Sequence, residues 1–334
     1  MSQPQLHVAT YHYVRDLPRT RFPQIKGMLL DDFREQARVL PDLFEMATMS
    51  SALEFLNGTY HPRRDLCLMT FDDGLKEHYA EVTPILEDDG IQGVFFLISS
   101  CLEDHVVAPV HMNHFLMAGL GFERYRAMFA EVIRAWGFDE QFEIRVDSAV
   151  SQHTYPLDTL DVARFKYLFN FALPPNCRDR AVRELFRECI GDENQFARDL
   201  YVSWSEAREM QRAGMLLGGH THEHRPLATL GDEELKRDLA RCRELMRKNL
   251  DTQDCWPFSY PYGKADSFDN RVIRILGELG FQCSLCTEKG MNVPGTDLFA
   301  IRRVDCKEIM SFGRQEANFH ARALEKSVSA GRGD

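Results

Sequence analysis

A chain of 334 residues with 44% apolar and 27% charged residues has the make-up of a folded globular protein, with room for one large domain or two. Its formal net charge of −11 excludes a general nucleic-acid or anionic-membrane surface, which would need clustered Lys and Arg. No run of about 18 apolar residues occurs, so no membrane span is expected, and the first residues lack the basic-then-apolar pattern of an export signal. Nine cysteines, an odd number scattered from Cys67 to Cys306, make no compact disulfide framework; with the missing export pattern they point to a reducing cytoplasm.

In chain order, residues 6–12 read as a first strand ending at His12, and 31–43 has helical spacing with Phe33, Ala37, Leu40 and Leu43 on one side. The run from Leu66 to Phe71 is apolar on both faces, as a parallel-sheet strand is, and stops at Asp72-Asp73-Gly74. A helix over 75–89 and a strand over 93–98 then complete a parallel β-α-β unit. Over 104–199 the pattern changes to helices rich in Phe, Met, Leu and Arg, such as 124–136 and 161–171, which reads as a helical insertion on one sheet edge, broken at Pro174-Pro175-Asn176. It carries His111 and His114, expected on a helix that packs its Met and Phe inward and turns the imidazoles outward. Arg178 and Arg180 are expected on a solvated face or against a substrate phosphate.

The β/α rhythm resumes with a helix over 203–213, opened by Ser203 and Glu206 in capping-box spacing, and a strand over 215–219 that leads into His220. A helix over 232–250, a strand over 257–260, a helix over 271–279, a strand over 281–286 and a last strand over 299–304 follow. In the 281–286 strand, Cys283 and Cys286 would point to opposite faces as buried thiols. The small, polar end (327–334) is expected to be mobile. The organisation is one domain over 1–330, interrupted by the insertion 104–199, with 331–334 as a tail.

Parallel β/α folds gather their functional groups at the carboxyl ends of strands. Three such ends carry reactive side chains here: Asp72-Asp73, His220-Thr221-His222-Glu223-His224, and Tyr260-Pro261-Tyr262-Gly263. Asp-Asp-Gly alone also suits a solvated turn. Two adjacent carboxylates held at the end of a buried strand, however, call for a shared cation or proton. Three histidines within five residues supply donors for zinc or a similar ion, and a helix after His220 would put His220 and His224 on one face.

Thr70-Phe71-Asp72-Asp73-Gly74, then His220-Thr221-x-x-His224, then Phe258-x-Tyr260-Pro261-Tyr262-Gly263, in that order, resemble the polysaccharide deacetylases with a NodB-homology domain, carbohydrate esterase family four. The resemblance covers residues 5–102 and 200–305, not the insertion. It implies an α/β fold, a distorted (β/α) barrel of about seven strands. It implies a metal-dependent hydrolase that removes an N-acetyl group from an amino sugar or saccharide, with one divalent ion, zinc foremost. Carried over position by position, Asp73, His220 and His224 are the metal ligands, Asp72 is the general base, and the backbone N–H of Tyr262 stabilises the oxyanion. This chain departs from the pattern at Ser259, where many members have an arginine that orients the base; Arg302 or Arg303 is expected to supply that charge. The histidine that serves as general acid is not recognisable, which leaves His12, His111, His114 and His222 as candidates. The substrate the resemblance implies is an acylated amino sugar or saccharide, free or carried on a nucleotide or lipid, with surface-polysaccharide biosynthesis as the expected setting. Two alternatives share these residues: a non-catalytic sugar-binding homologue, and a hydrolase of another C–N bond such as a formyl amide or ureide.

Overall fold

Ten strands alternate with helices in the computed structural model, which describes residues 3–138 and 145–313. The end of the chain expected to be mobile lies outside the described residues. The strands are β1 (Leu6–Tyr11), β2 (Val14–Arg15), β3 (Met28–Leu29), β4 (Glu45–Met46), β5 (Leu66–Phe71), β6 (Gly93–Leu97), β7 (Leu216–Gly219), β8 (Pro257–Ser259), β9 (Cys283–Leu285) and β10 (Val304–Asp305). Eight of them form one parallel sheet, seven in the order β10-β1-β5-β6-β7-β8-β9 and the eighth, β4, paired with the start of β5; β2 with β3 stands apart.

The sheet curls on itself. Ile301 bridges in parallel to Leu285 of β9, and three residues later Val304 pairs with Ala9 of β1, so the segment 301–305 joins the two edges. The fold is the expected distorted (β/α) barrel. The last strand, however, is Val304–Asp305 rather than 299–304. Asn292 takes both the N–H and the C=O of Arg302 through its side-chain amide, at 2.9 and 2.8 Å, and this interrupts the ladder.

Alternation along the strands sorts side chains into two layers. Leu66 and Leu68 of β5, Val94 and Phe96 of β6, and Cys283 and Leu285 of β9 form the smaller apolar cluster inside the barrel, plugged by the helix Met49–Leu56. That helix, opened by a Thr48–Ser51 capping box, has no counterpart in the sequence reading. Cys67, Met69, Phe71, Phe95 and Leu97 face outward into the larger cluster, which also holds Cys286, so the two neighbouring thiols are buried on opposite faces. Gly218 is required on the inner face, because a Cβ there would lie 2.6 Å from the Phe96 ring and 2.7 Å from the Pro257 carbonyl oxygen.

Between β6 and β7 the described residues form helices and no strand, among them Pro109–Leu120, Phe122–Ala135, Leu160–Tyr167, Pro175–Cys189 and Glu193–Leu200. Their Phe115, Phe129, Phe165 and Phe186 belong to the same apolar cluster as Tyr11 and Phe71, so this segment packs directly on the barrel. Helix Pro109–Leu120 buries Val110, His111, Met112, Asn113, Phe115 and Leu116, whose positions at 100° per residue fall all round its circumference. It is therefore not the one-sided helix expected, and His111 turns inward. Among the described residues no helix is long and apolar enough to cross a membrane.

Candidate active site

Asp72 continues the ladder of β5 by one residue, its N–H donating to the Tyr11 carbonyl at 2.9 Å. By alternation it lies on the inner layer above Leu66, Leu68 and Thr70. Arg303 lies on the same layer, two residues after Ile301. Its two terminal nitrogens donate to the two Asp72 oxygens at 2.8 Å each, and one also donates to Ser259 Oγ at 2.9 Å. Ser259 Oγ in turn donates to Asp72 at 3.2 Å. The small residue in place of the expected arginine thus leaves room for a guanidinium that arrives from the end of the chain. Arg302, on the opposite side of the strand, is exposed and donates to the Met291 carbonyl. Burial alone would raise the Asp72 carboxyl; Arg303 overrides it, His220 and His12 add to the effect, and the group is held at about 2.

Asp73 faces the histidines. One ligating atom from each of Asp73, His220 and His224 falls within 4.8 Å of the others. Asp73 Oδ1 is 3.5 Å from Nε2 of both His220 and His224, and it is buried without a hydrogen bond. Donors each about 2.0–2.1 Å from a tetrahedral zinc lie roughly 3.3–3.4 Å apart, so this orphaned oxygen and its two neighbours fit such an ion. His220 Nδ1 donates to the Ser259 carbonyl at 2.7 Å, which leaves Nε2 with its lone pair toward Asp73. Burial and the neighbouring His220 push His224 down to about 3, so it is neutral, the state in which imidazole binds a metal. Burial would also lower His220, but Asp72 and Asp73 raise it above its usual value.

The segment after His220 is a turn, not a helix. Thr221 and His224 have φ of 68° and 54°, values a helix excludes. Thr221 Oγ1 accepts from the His224 N–H at 2.8 Å, and buried Asp238, from helix Asp232–Asn249, accepts the N–H groups of His222 and Glu223 at 2.9 Å each. The turn brings the His220 and His224 rings to 4.8 Å between centroids. Of the five non-glycine residues with positive φ among those described, Asp73, Thr221, His224 and Tyr262 all stand here. Such conformations cost of order 1–3 kcal/mol each and persist where surrounding contacts impose them.

Tyr262, φ 65°, packs its ring 5.3 Å from His224 and 5.0 Å from Phe171, and its hydroxyl donates to Asn170 Oδ1 at 3.0 Å. His12 is half-exposed, with Nε2 3.9 Å from Asp72 Oδ2. Its backbone is braced by buried His78, whose Nε2 donates to the His12 carbonyl at 2.8 Å. His111 reaches the site: Nε2 is 3.1 Å from Asp73 Oδ2. His114 stays behind it, 5.9 Å away between ring centroids, and burial lowers it well below the usual histidine value. His222 turns away, with Nδ1 at 3.0 Å from Ser99 Oγ. Arg178 is buried rather than solvated and donates to Asp179 at 2.6 Å, while exposed Arg180 stacks 4.0 Å over Trp136. Tyr201, Asn170 and Asp238, which hold His111, Tyr262 and the histidine turn, went unread in the sequence. Asp238 carries a partial signal, a carboxylate on the apolar stripe of its helix beside Leu235, Leu239 and Cys242.

A parallel (β/α) barrel with an Asp-Asp pair, two histidines and an arginine gathered at the carboxyl ends of its strands defines a hydrolase-type centre able to hold one divalent ion. The model of the polysaccharide deacetylase family matches residues 60–284, and the chain belongs to that family. No curated protein matches. The fold is similar to that of the Streptococcus pyogenes deacetylase PplD in complex with acetate, at 12% identity over 91% of this chain and 93% of that one, TM-score 0.56. It is similar too to IcaB from Ammonifex degensii (19% identity, 91% and 92% covered, TM-score 0.53) and to the BpsB deacetylase domain from Bordetella bronchiseptica (20%, 91% and 98%, TM-score 0.52).

Proposed function

We propose that the protein is a metal-dependent hydrolase that removes the N-acetyl group from an amino sugar or saccharide. The observation that carries this reading is the meeting, at one buried site, of a carboxylate kept anionic by Arg303 with the donor set Asp73, His220 and His224. A divalent ion on those three residues, zinc foremost, would polarise the acyl carbonyl and make a neighbouring water more acidic. Asp72 takes a proton from the attacking water; its value of about 2 keeps it in the basic form throughout the neutral range. The backbone N–H of Tyr262 donates to the acyl oxygen as negative charge gathers there. Of the four candidate acids, His12 has the geometry: it is half-exposed, beside Asp72, and free to face a substrate. In this scheme it gives a proton to the sugar nitrogen as the C–N bond breaks, and acetate and the free amine leave.

The same reading treats 104–199 as an insertion in a single domain, takes the sugar as free or joined to a nucleotide or lipid carrier, and sets the reaction in surface-polysaccharide assembly. Incubation of the zinc-loaded protein with free, nucleotide-linked and polymeric N-acetyl amino sugars, with N-formyl counterparts alongside, is the test. Acetate release from at least one is expected. Formate release alone would shift the reaction to another C–N bond, and sugar binding without any release would refute the enzymatic reading.

A further inference from the structure

Helix Pro109–Leu120 lies outside the three stretches that carry the site, yet it delivers a side chain onto Asp73. His111 is buried, with Nε2 3.1 Å from Asp73 Oδ2 and Nδ1 2.6 Å from the Tyr201 hydroxyl. The partners decide where the hydrogens lie. Ionised Asp73 can only accept, so the ring N–H sits on Nε2 and faces it; Nδ1 then accepts from the Tyr201 hydroxyl, whose oxygen also accepts the Ala108 N–H at 3.1 Å. Burial, with nearby Cys101 adding, raises Tyr201 well above the usual tyrosine value, so the hydroxyl keeps that hydrogen. The two Asp73 oxygens are thereby divided: Oδ2 accepts from His111, and Oδ1 lies 3.5 Å from both His220 and His224 Nε2. His111 is not itself part of the three-residue group within mutual ligating reach.

We infer that His111 is a positioning residue that ties down Asp73 Oδ2, so that Asp73 offers the ion a single oxygen and the site selects zinc over ions that take more ligands. This rests on the metal-dependent reading above. A carboxylate free to turn could offer both oxygens, and a larger oxygen count suits calcium or manganese rather than four-coordinate zinc. Groups that orient a ligand from behind typically change affinity 10–100-fold.

The test uses the full chain stripped of metal, titrated with Zn2+ against a chromophoric chelator and, separately, loaded with Co2+ for its visible spectrum. His111→Ala is expected to weaken zinc binding about 10–100-fold and to dim the Co2+ bands as the coordination number rises. His111→Gln, which keeps an N–H donor, is expected to recover most of both. Tyr201→Phe, which leaves Asp73 untouched, is expected to shift them in the same direction by less, and it replaces His111→Ala if that variant fails to fold. Wild-type zinc affinity and an unchanged Co2+ spectrum in these variants would overturn the role of His111 alone. A wild-type protein that binds neither ion would overturn the metal-dependent reading together with it.

Discussion

Replacing Arg303 by Met removes the counter-charge of Asp72 while nearly keeping its volume. The pair is almost wholly buried, 0% and 3% exposed at the side chains, and doubly bonded. Holding Asp72 at about 2 rather than 3.8 corresponds to roughly 2.5 kcal/mol of stability at neutral pH, at 1.36 kcal/mol per pH unit. Stranding a charge after removal of its buried partner costs about 3–5 kcal/mol, and this larger figure is the one expected at pH 7. The sign with pH follows from the two folded states. In the wild type the depressed Asp72 contributes stability above about pH 4 that is lost as pH falls toward 2. In Arg303→Met, burial pushes the carboxyl above its unfolded value, so stability falls as pH rises past about 4. The gap between the two proteins is therefore wide at pH 7 and narrower at pH 4. Urea unfolding at both pH values, with EDTA present so that metal linkage does not enter, measures it. Equal midpoints at pH 7, or a gap of the same size at both, would mean that Arg303 is not what stabilises the buried Asp72 charge.

Asp72→Asn is expected to keep stoichiometric metal and lose activity, whereas His224→Ala loses the metal as well; metal analysis beside acetate release separates them. Burial raises Asp238 to about 6 despite its two backbone hydrogen bonds, so it penalises folding by roughly 3 kcal/mol above that pH, and stability falls between about pH 4 and 6. Subtracting the unfolding curves of Asp238→Asn from those of the wild type across that range should isolate the slope; parallel curves would contradict it. Gly218→Val, with no space beside Phe96 and Pro257, should cost at least about 1–3 kcal/mol in urea unfolding, and a neutral result would mean that the inner layer yields. Asn170→Ala frees the Tyr262 hydroxyl, and kcat is expected to fall with metal content unchanged.

Much of the fold was readable because its signals are local. An apolar run that stops at two aspartates, a glycine that permits the turn after them, and a capping box at Ser203 are decided within a few residues, and Ser203–Glu206 is realised as both side-chain and backbone bonds. The edges of strands were less readable. Asn292, ten residues away, ends the pairing at Arg302, and nothing in the local pattern of 299–304 announces it.

Alternation and apolar runs were enough to place the chemical groups at their strand ends: Asp72 and Asp73 after β5, His220 and His224 after β7, Tyr262 after β8. How those groups are held is set by packing between distant elements. Arg303 rather than Arg302 meets Asp72 because strand alternation puts one inside the barrel and the other outside, across 231 residues of chain. The His220–His224 segment is a strained turn because Asp238 accepts its N–H groups from another helix. His111 lies on Asp73 because its helix is packed on every side. Each of these depends on contacts between elements far apart in the chain, whose energies no local residue pattern encodes.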